Sequence, residues 1–244
     1  MTYDISQLDP IKRHWLLRGA NIPRRFIGLE PQDIIHTTGE FPEEIDIWLE
    51  QVFEGKVIKQ IGGLGMTGVG LLFDGGPGLG KTTHAVVALM ELIRNLPVNE
   101  DEAREVLAMS PETFGMQSRP IYYMTFPEFL SRKKAIIDAE GELRKDLYRE
   151  MEGFHGRAKE DYLNVRVLVL DDLGKEYGST YNDSSFDEIL RSRYDKALPT
   201  IITTNVKRED WTAQYGAAMG SFAHEAFTRV RIDGQDLRKT KKGK

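Results

Sequence analysis

Cysteine is absent from the 244 residues, which excludes disulfides, thiol nucleophiles and every cysteine-ligated zinc site. The five histidines, His14, His36, His84, His155 and His224, never fall at the i, i+4 or HxxEH spacing that histidine-ligated zinc uses. Long apolar runs are missing as well. The first ten residues, MTYDISQLDP, have neither a basic start nor an apolar stretch, so no membrane span or leader is expected and the cytoplasm is the expected location. An excess of positive charge is lacking too. With 33 Lys and Arg against 38 Asp and Glu, the net charge is −5, so any contact with DNA requires a local patch. The apolar fraction of 40% and charged fraction of 29% are those of a packed domain, and the length favours one principal domain.

What is present alternates between two periodicities. Ile45, Trp48, Leu49, Val52 and Phe53 recur at the spacing of an amphipathic helix, predicting one over Glu43–Phe53. The glycine-dense turn at residues 62–68 leads into a short apolar run, 69–73, that reads as a buried strand. A helix over 85–96 follows, then an acid-rich stretch at 99–119 that reads as an insertion or connector. A strand at 121–125, helical character over 128–161 with Pro127 in a first turn, a strand at 165–171, a helix at 186–196, a strand at 200–204 and a fifth at 230–233 complete the pattern. Strands alternating with helices imply a largely parallel sheet.

Three constellations carry chemistry. Gly75-Gly76-Pro77-Gly78-Leu79-Gly80-Lys81-Thr82 matches G-x-x-x-x-G-K-[ST] between a predicted strand and a predicted helix, with Thr83 following. Glycines let backbone N–H groups turn around phosphate oxygens, the helix aims its positive end at them, Lys81 neutralises the β/γ charge and Thr82 can ligate Mg²⁺. An apolar strand then ends in Asp171-Asp172, which places Asp171 on the metal side and Asp172 as a general base toward an attacking water. Finally, Thr203-Thr204-Asn205 closes the fourth strand with an amide suited to holding the lytic water or sensing the γ-phosphate; Asn in a turn is the bland alternative.

Taken together, these motifs resemble those of the AAA+ ATPases of the DnaC and IstB group, the bacterial and phage replicative helicase loaders and their transposition-helper relatives. The resemblance runs from Ala20-Asn21-Ile22-Pro23 through the P-loop, Leu170-Asp171-Asp172-Leu173-Gly174, Arg193-Tyr194 and residues 199–205 to Gly234-Gln235-Asp236-Leu237-Arg238. It implies an α/β, three-layer P-loop fold of AAA+ type with a five-stranded, mostly parallel sheet. Because 39 residues follow Asn205, a reduced or absent C-terminal helical lid is expected. The expected division is a short N-terminal segment at 1–40, with residues 11–17 as a possible helicase contact, and an ATPase domain at 41–244. The implied function is an ATP-dependent helicase loader that binds ATP, Mg²⁺ and single-stranded DNA, self-associates, and delivers a replicative hexameric helicase. Carried over by position, Lys81 and Thr82 bind triphosphate and Mg²⁺, Asp171 and Asp172 are the two acids, Asn205 is the first sensor and Arg238 the second. Arg193 lies where a residue facing the neighbouring subunit is expected.

One departure bears on turnover. Where the family carries an arginine finger, this chain reads Ser221-Phe222-Ala223. Either Arg229 or Arg231 supplies that charge from a shifted register, Arg229 being favoured, or the finger is absent and hydrolysis is weak. For DNA, the candidates are Arg132, Lys133 and Lys134, with Tyr122, Tyr123 and Phe126 as stacking faces or, in the alternative, core residues. The basic tail at 229–244, with seven basic and two acidic residues, adds a second patch. The alternatives are an IstB-like transposition helper, a nucleotide-gated DNA-binding adaptor with little turnover, and, disfavoured for want of an arginine-rich lid motif, a small-metabolite kinase.

Overall fold

Apolar runs too short for helices become the strands of one sheet. The computed structural model describes residues 5–58, 67–174, 180–234, 236 and 237. Its strands are β1 (Gly70–Gly75), β2 (Ile121–Thr125), β3 (Val167–Leu173), β4 (Thr200–Thr204) and β5 (Phe227–Ile232). They lie in the order β2-β3-β4-β1-β5, every pairing parallel. The helices are α1 (Pro10–His14), α2 (Pro31–Thr38), α3 (Glu43–Phe53), α4 (Lys81–Asn95), α5 (Glu100–Val106), α6 (Phe126–Asp138), α7 (Gly141–Phe154), α8 (Thr180–Tyr194), α9 (Trp211–Tyr215) and α10 (Ala217–Ala226). Among the described residues, no helix is long and apolar enough to cross a membrane.

Strand order fixes which helix covers which face. From β1 to β2 the chain crosses the sheet in one direction, and from β2 through β3 and β4 to β5 it returns in the other. Right-handed crossovers then put α4 on one face and the later helices on the opposite one. Burial follows that division. Leu71, Phe73, Val167, Val169, Ile201 and Val230 share a core with α4 and the N-terminal helices. Leu72, Leu168, Leu170, Ile202 and Phe227 share the other with Phe129, Phe154, Ile189 and Phe222.

The boundary expected at residue 40 does not separate two cores. Trp15 and Leu16, inside the stretch assigned to helicase contact, are 1% exposed and belong to the same cluster as Phe73 and Val169. Leu17, beside that pair, stands half exposed, at 47%. Backbone pairing ties the segment down further: Tyr123 N–H donates to the Ala20 carbonyl at 2.8 Å, and the Asn21 amide donates to the Tyr123 carbonyl at 3.0 Å. The open edge of β2 is thereby occupied at its middle residue, which blunts edge-to-edge association.

Several boundaries shift for local reasons. The helix read at 85–96 begins at Lys81, because its first turn is polar and carries no apolar period. The 99–119 connector contains α5, started by Asn99, whose side chain accepts from the N–H groups of Asp101 and Glu102. The helix read at 186–196 starts at Thr180 for the same reason as α4. The turn read at 62–68 lies outside the described residues except for Thr67 and Gly68. The 39 residues after Asn205, on which the expectation of a reduced lid rests, hold α9, α10 and β5, with residues 235 and 238–244 outside the described ones.

Burial bears on two positions expected near a subunit boundary, and one expectation, that for Arg193, runs against it. Phe222 is a core residue, 7% exposed, edge-on to Tyr194 at 5.3 Å with the Arg191 guanidinium 4.9 Å from its ring. Arg193 is fully enclosed. Its Nε donates to Thr200 Oγ1 at 3.0 Å, and its two terminal nitrogens donate to the carbonyls of Phe154 (2.7 Å), Val165 (3.0 Å), Arg166 (3.0 Å) and Pro199 (3.0 Å). All five guanidinium N–H donors are therefore satisfied within the chain, and none faces a neighbouring subunit. Desolvation pulls the group down to about 9, so it stays charged at neutral pH and fastens α7, α8 and the starts of β3 and β4. Leaving buried acceptors unpaired costs about 1–3 kcal/mol per group. Arg193→Met is expected to lose about 3 kcal/mol or more of stability, read as a lower urea midpoint; an unchanged midpoint would show that the bracket is dispensable.

Candidate nucleotide-binding site

Strand β1 delivers the chain into the P-loop, and α4 begins where the loop ends. Gly78 adopts φ +79°, a conformation that L side chains rarely take, and a Cβ there would lie 1.9 Å from an Asp236 carboxylate oxygen. Gly75, at φ +153°, sits against the Ile232 carbonyl, 2.2 Å from where a Cβ would be. A side chain at either position would be strained. Gly76 has only ordinary contact with Leu79, so its place in the motif rests on the loop and not on crowding. The N-terminus of α4 follows directly on the loop, the end of a helix that suits an anion.

The structure brings the motif residues together at the end of β1. Lys81 Nζ donates to the carbonyls of Gly75 (2.9 Å) and Gly76 (2.6 Å) and to Asn205 Oδ1 (2.8 Å). Thr82 Oγ1 donates to the Asp171 carboxylate at 2.9 and 3.1 Å. That carboxylate, 2% exposed, also accepts from Tyr123 Oη at 2.7 Å and Thr203 Oγ1 at 2.5 Å. A hydroxyl and a carboxylate this close form the hard-oxygen pair that suits Mg²⁺. Among the described residues there is no larger cluster of acids and histidines for a metal.

Adjacent residues of a strand face opposite sides of a sheet, yet both acids are needed on one side. A register shift between Leu170 and Leu173 resolves this. Asp172 turns to φ +62°, a left-handed conformation that Asp tolerates better than most residues. Its N–H donates to Thr203 Oγ1 at 3.0 Å, and the residue returns to the P-loop side. A cleft of about 650 Å³ opens there, lined by residues 77–84, Asp172, Thr203 and Asn205. That size holds a nucleoside triphosphate.

Several contributors were not legible as functional. Tyr123 is buried as the core alternative has it, but its hydroxyl serves Asp171; burial, and after it the negative charge of Asp171, pushes the phenol well above its ordinary range. Tyr123 shares with Asp171 the inward face of the alternating strands, and that period-2 placement was the available signal. Arg25, Phe26, Leu29 and the α2 residues Asp33, Ile34, Thr37 and Thr38 also line the cleft, with the Arg25 guanidinium 4.6 Å from the Phe26 ring centre; nothing in their spacing announced them. His84 Nδ1 lies 2.9 Å from the Gly80 carbonyl. Because a carbonyl only accepts, Nδ1 carries the proton, and burial holds the ring below its ordinary range.

The remaining candidates scatter. The segment carrying Asp236 and Leu237 returns to the P-loop, where Leu237 N–H donates to the Gly78 carbonyl at 3.0 Å; Arg238 lies outside the described residues. Arg229 does not point outward as a finger. It is ion-paired within the chain to Asp74 at 2.5 Å and to Glu209. Arg231 is exposed and pairs with Asp233 at 2.8 Å. In the DNA cluster, Arg132 is ion-paired with Glu128 (2.8 Å) and Glu150 (2.9 Å), and Lys133 with Glu188 (2.7 Å), so acids on the surface balance them. Tyr122, Tyr123 and Phe126 are buried and offer no faces for bases. Lys134 is exposed.

Comparison with solved structures bears on this geometry. The crystal structure of the DnaC helicase loader matches with a TM-score of 0.53 at 21% identity, over 86% of this chain and 100% of that one. The crystal structure of DnaI matches at 0.52 and 20%, over 88% and 96%. This is the AAA+ fold. Domain III of the Thermotoga maritima replication initiation protein DnaA shares it at 0.51 and 16% identity, over 80% of this chain and 64% of that one. At these identities the likeness carries the AAA+ fold and not an activity. No protein-family model and no curated protein sequence matches the chain.

A hydrogen-bonding partner one step outside a metal ligand typically supports metal affinity by about 10-fold or more. Tyr123→Phe is expected to raise the Mg²⁺ concentration for half-maximal nucleotide binding by about 10-fold while leaving the unfolding midpoint within a few degrees. Unaltered Mg²⁺ dependence would remove Tyr123 from the site.

Proposed function

We propose that this chain is an ATP-hydrolysing helicase loader of AAA+ type that binds Mg²⁺-ATP and single-stranded DNA, self-associates, and delivers a replicative hexameric helicase. The observation that carries the reading is the convergence of Lys81 with Asn205, and of Thr82 with Asp171, beside Asp172 in a cleft of nucleotide size. The AAA+ fold shared with the DnaC helicase loader supports it.

Within that reading, the residues divide the work. The P-loop N–H groups and Lys81 hold the β- and γ-phosphates, and Thr82 with Asp171 holds Mg²⁺, which supplies charge neutralisation on the phosphate oxygens when bound. Asp172 takes the proton of the attacking water. Asn205, already against Lys81, holds that water or the γ-phosphate. For DNA, the surviving candidates are Lys134 and the basic tail, of which residues 238–244 lie outside the described residues.

One observation favours a second reading, a nucleotide-gated adaptor with little turnover. Phe222 occupies the finger position as a core residue, and Arg229 is bound in cis. Fluorescent-ATP binding and phosphate release separate the two. Lys81→Ala is expected to weaken ATP binding by about 10–100-fold, the worth of a charge-assisted contact to phosphate. Asp172→Asn is expected to bind ATP normally and release phosphate about 10²–10⁴-fold more slowly, as for loss of a general base. Undiminished ATP affinity in Lys81→Ala refutes the site, and phosphate release too slow to distinguish from Asp172→Asn favours the adaptor. Capture of a hexameric helicase from the native cell in the presence of ATP tests the partner.

A further inference from the structure

The carboxylate one residue before the P-loop is buried and multiply bonded, and the reading above gives it no work. Asp74 is the last residue but one of β1, with its side chain 1% exposed. It accepts from Arg229 Nε at 3.0 and 3.1 Å, from Arg229 Nη2 at 2.5 Å and from the backbone N–H of Arg208 at 3.0 Å. Arg229 in turn donates to Glu209 Oε2 at 2.8 Å. The carboxylate thus joins three pieces of chain: the end of β1, the turn after β4 and the middle of β5.

Placement makes this more than a surface ion pair. Leu72 and Asp74 share the sheet face opposite α4, and Arg229, in register with Leu72, reaches forward along β5 to Asp74. Gly75, the next residue, presents the carbonyl that Lys81 Nζ contacts. Arg208, whose N–H the carboxylate holds, lies three residues beyond Asn205, whose Oδ1 contacts the same ammonium. Asp74 therefore grips, from beneath the sheet, both strand ends whose tips meet at Lys81. Burying a carboxylate is costly unless it is paired and hydrogen-bonded, and this one is. The facing groups are Arg229, Glu209 and the Arg208 N–H; Arg229 holds the Glu209 carboxyl down to about 2, so Glu209 stays charged across the working pH range.

We propose that Asp74 and Arg229 are positioning residues that seat the Asn205 turn against Lys81, and that Arg229 acts within its own chain. The assignment rests on the nucleotide-site reading above. A small displacement of a positioned group lowers turnover by about 10–100-fold without loss of binding, so Asp74 acts on the rate through Asn205.

The test is a double-variant cycle in ATP hydrolysis, with ATP and ADP affinities measured alongside. Asp74→Ala is expected to lower kcat about 10-fold with KM little changed, Asp74→Asn to lose less because it keeps an acceptor for the Arg208 N–H, and Asp74→Ala/Asn205→Ala to be no slower than Asn205→Ala alone. If wild type binds ATP without turnover, the same cycle is read in the ATP-to-ADP affinity ratio. Should Asp74→Ala not fold, Arg229→Met in the same cycle replaces it. Losses that multiply in the double variant, or a raised KM at unchanged kcat, overturn the assignment while leaving the site intact. A wild type that binds no nucleotide overturns the site itself. Mixtures of Arg229→Ala and Lys81→Ala chains are expected to recover no activity, and recovery would place Arg229 in a neighbour's site.

Discussion

A carboxylate taken out of water needs donors on its oxygens, and Asp171 recruits them from three directions. Tyr123 reaches it from β2, Thr203 from β4 and Thr82 from the first turn of α4. The sheet order makes this possible, since β3 lies between β2 and β4, and Tyr123, Asp171 and Thr203 share the face that α4 covers. The same Thr203 hydroxyl that donates to Asp171 accepts the N–H of Asp172, so satisfying one acid fixes the backbone kink that aims the other into the cleft. Neighbouring hydrogen bonds of this kind reinforce one another in a low-dielectric interior.

Several cations that look available along the chain are committed to partners within it. Arg193 is used entirely on carbonyls and a threonine hydroxyl, Arg229 on Asp74 and Glu209, and Arg132 and Lys133 on the acids of α6, α7 and α8. An acidic chain with 33 basic residues thus keeps several of them as brackets between elements. The consequence for function is direct: the groups suited to a neighbour's phosphate or to DNA are fewer than the sequence suggests, and Arg231, exposed beside Asp233, is a basic residue of β5 that reaches solvent.

How legible this was depends on whether a signal was local. Helix α3 and strands β2 and β4 agree with their sequence reading residue for residue because their apolar periodicity is uninterrupted. The P-loop, Asp171, Asp172 and Asn205 were legible because phosphate chemistry constrains residue type at fixed spacing. Helices α4 and α8 were read short because their first turns are polar. Arg193, Tyr123 and Asp74 escaped because their partners are distant in sequence: 39 residues separate Arg193 from Phe154 and 155 separate Asp74 from Arg229. Burial of a charged side chain is a property of the assembled sheet, and no window of sequence contains it.

The most direct test is a crystal structure of the chain with Mg²⁺ and a non-hydrolysable ATP analogue. The expected result is the triphosphate wrapped by residues 75–82, Mg²⁺ about 2.1 Å from Thr82 Oγ1 on the Asp171 side, and the γ-phosphate within hydrogen-bonding reach of Lys81 and Asn205, with Asp171 still bonded to Tyr123 and Thr203. Nucleotide bound outside this cleft, or Asp171 turned away from the metal, would contradict the account.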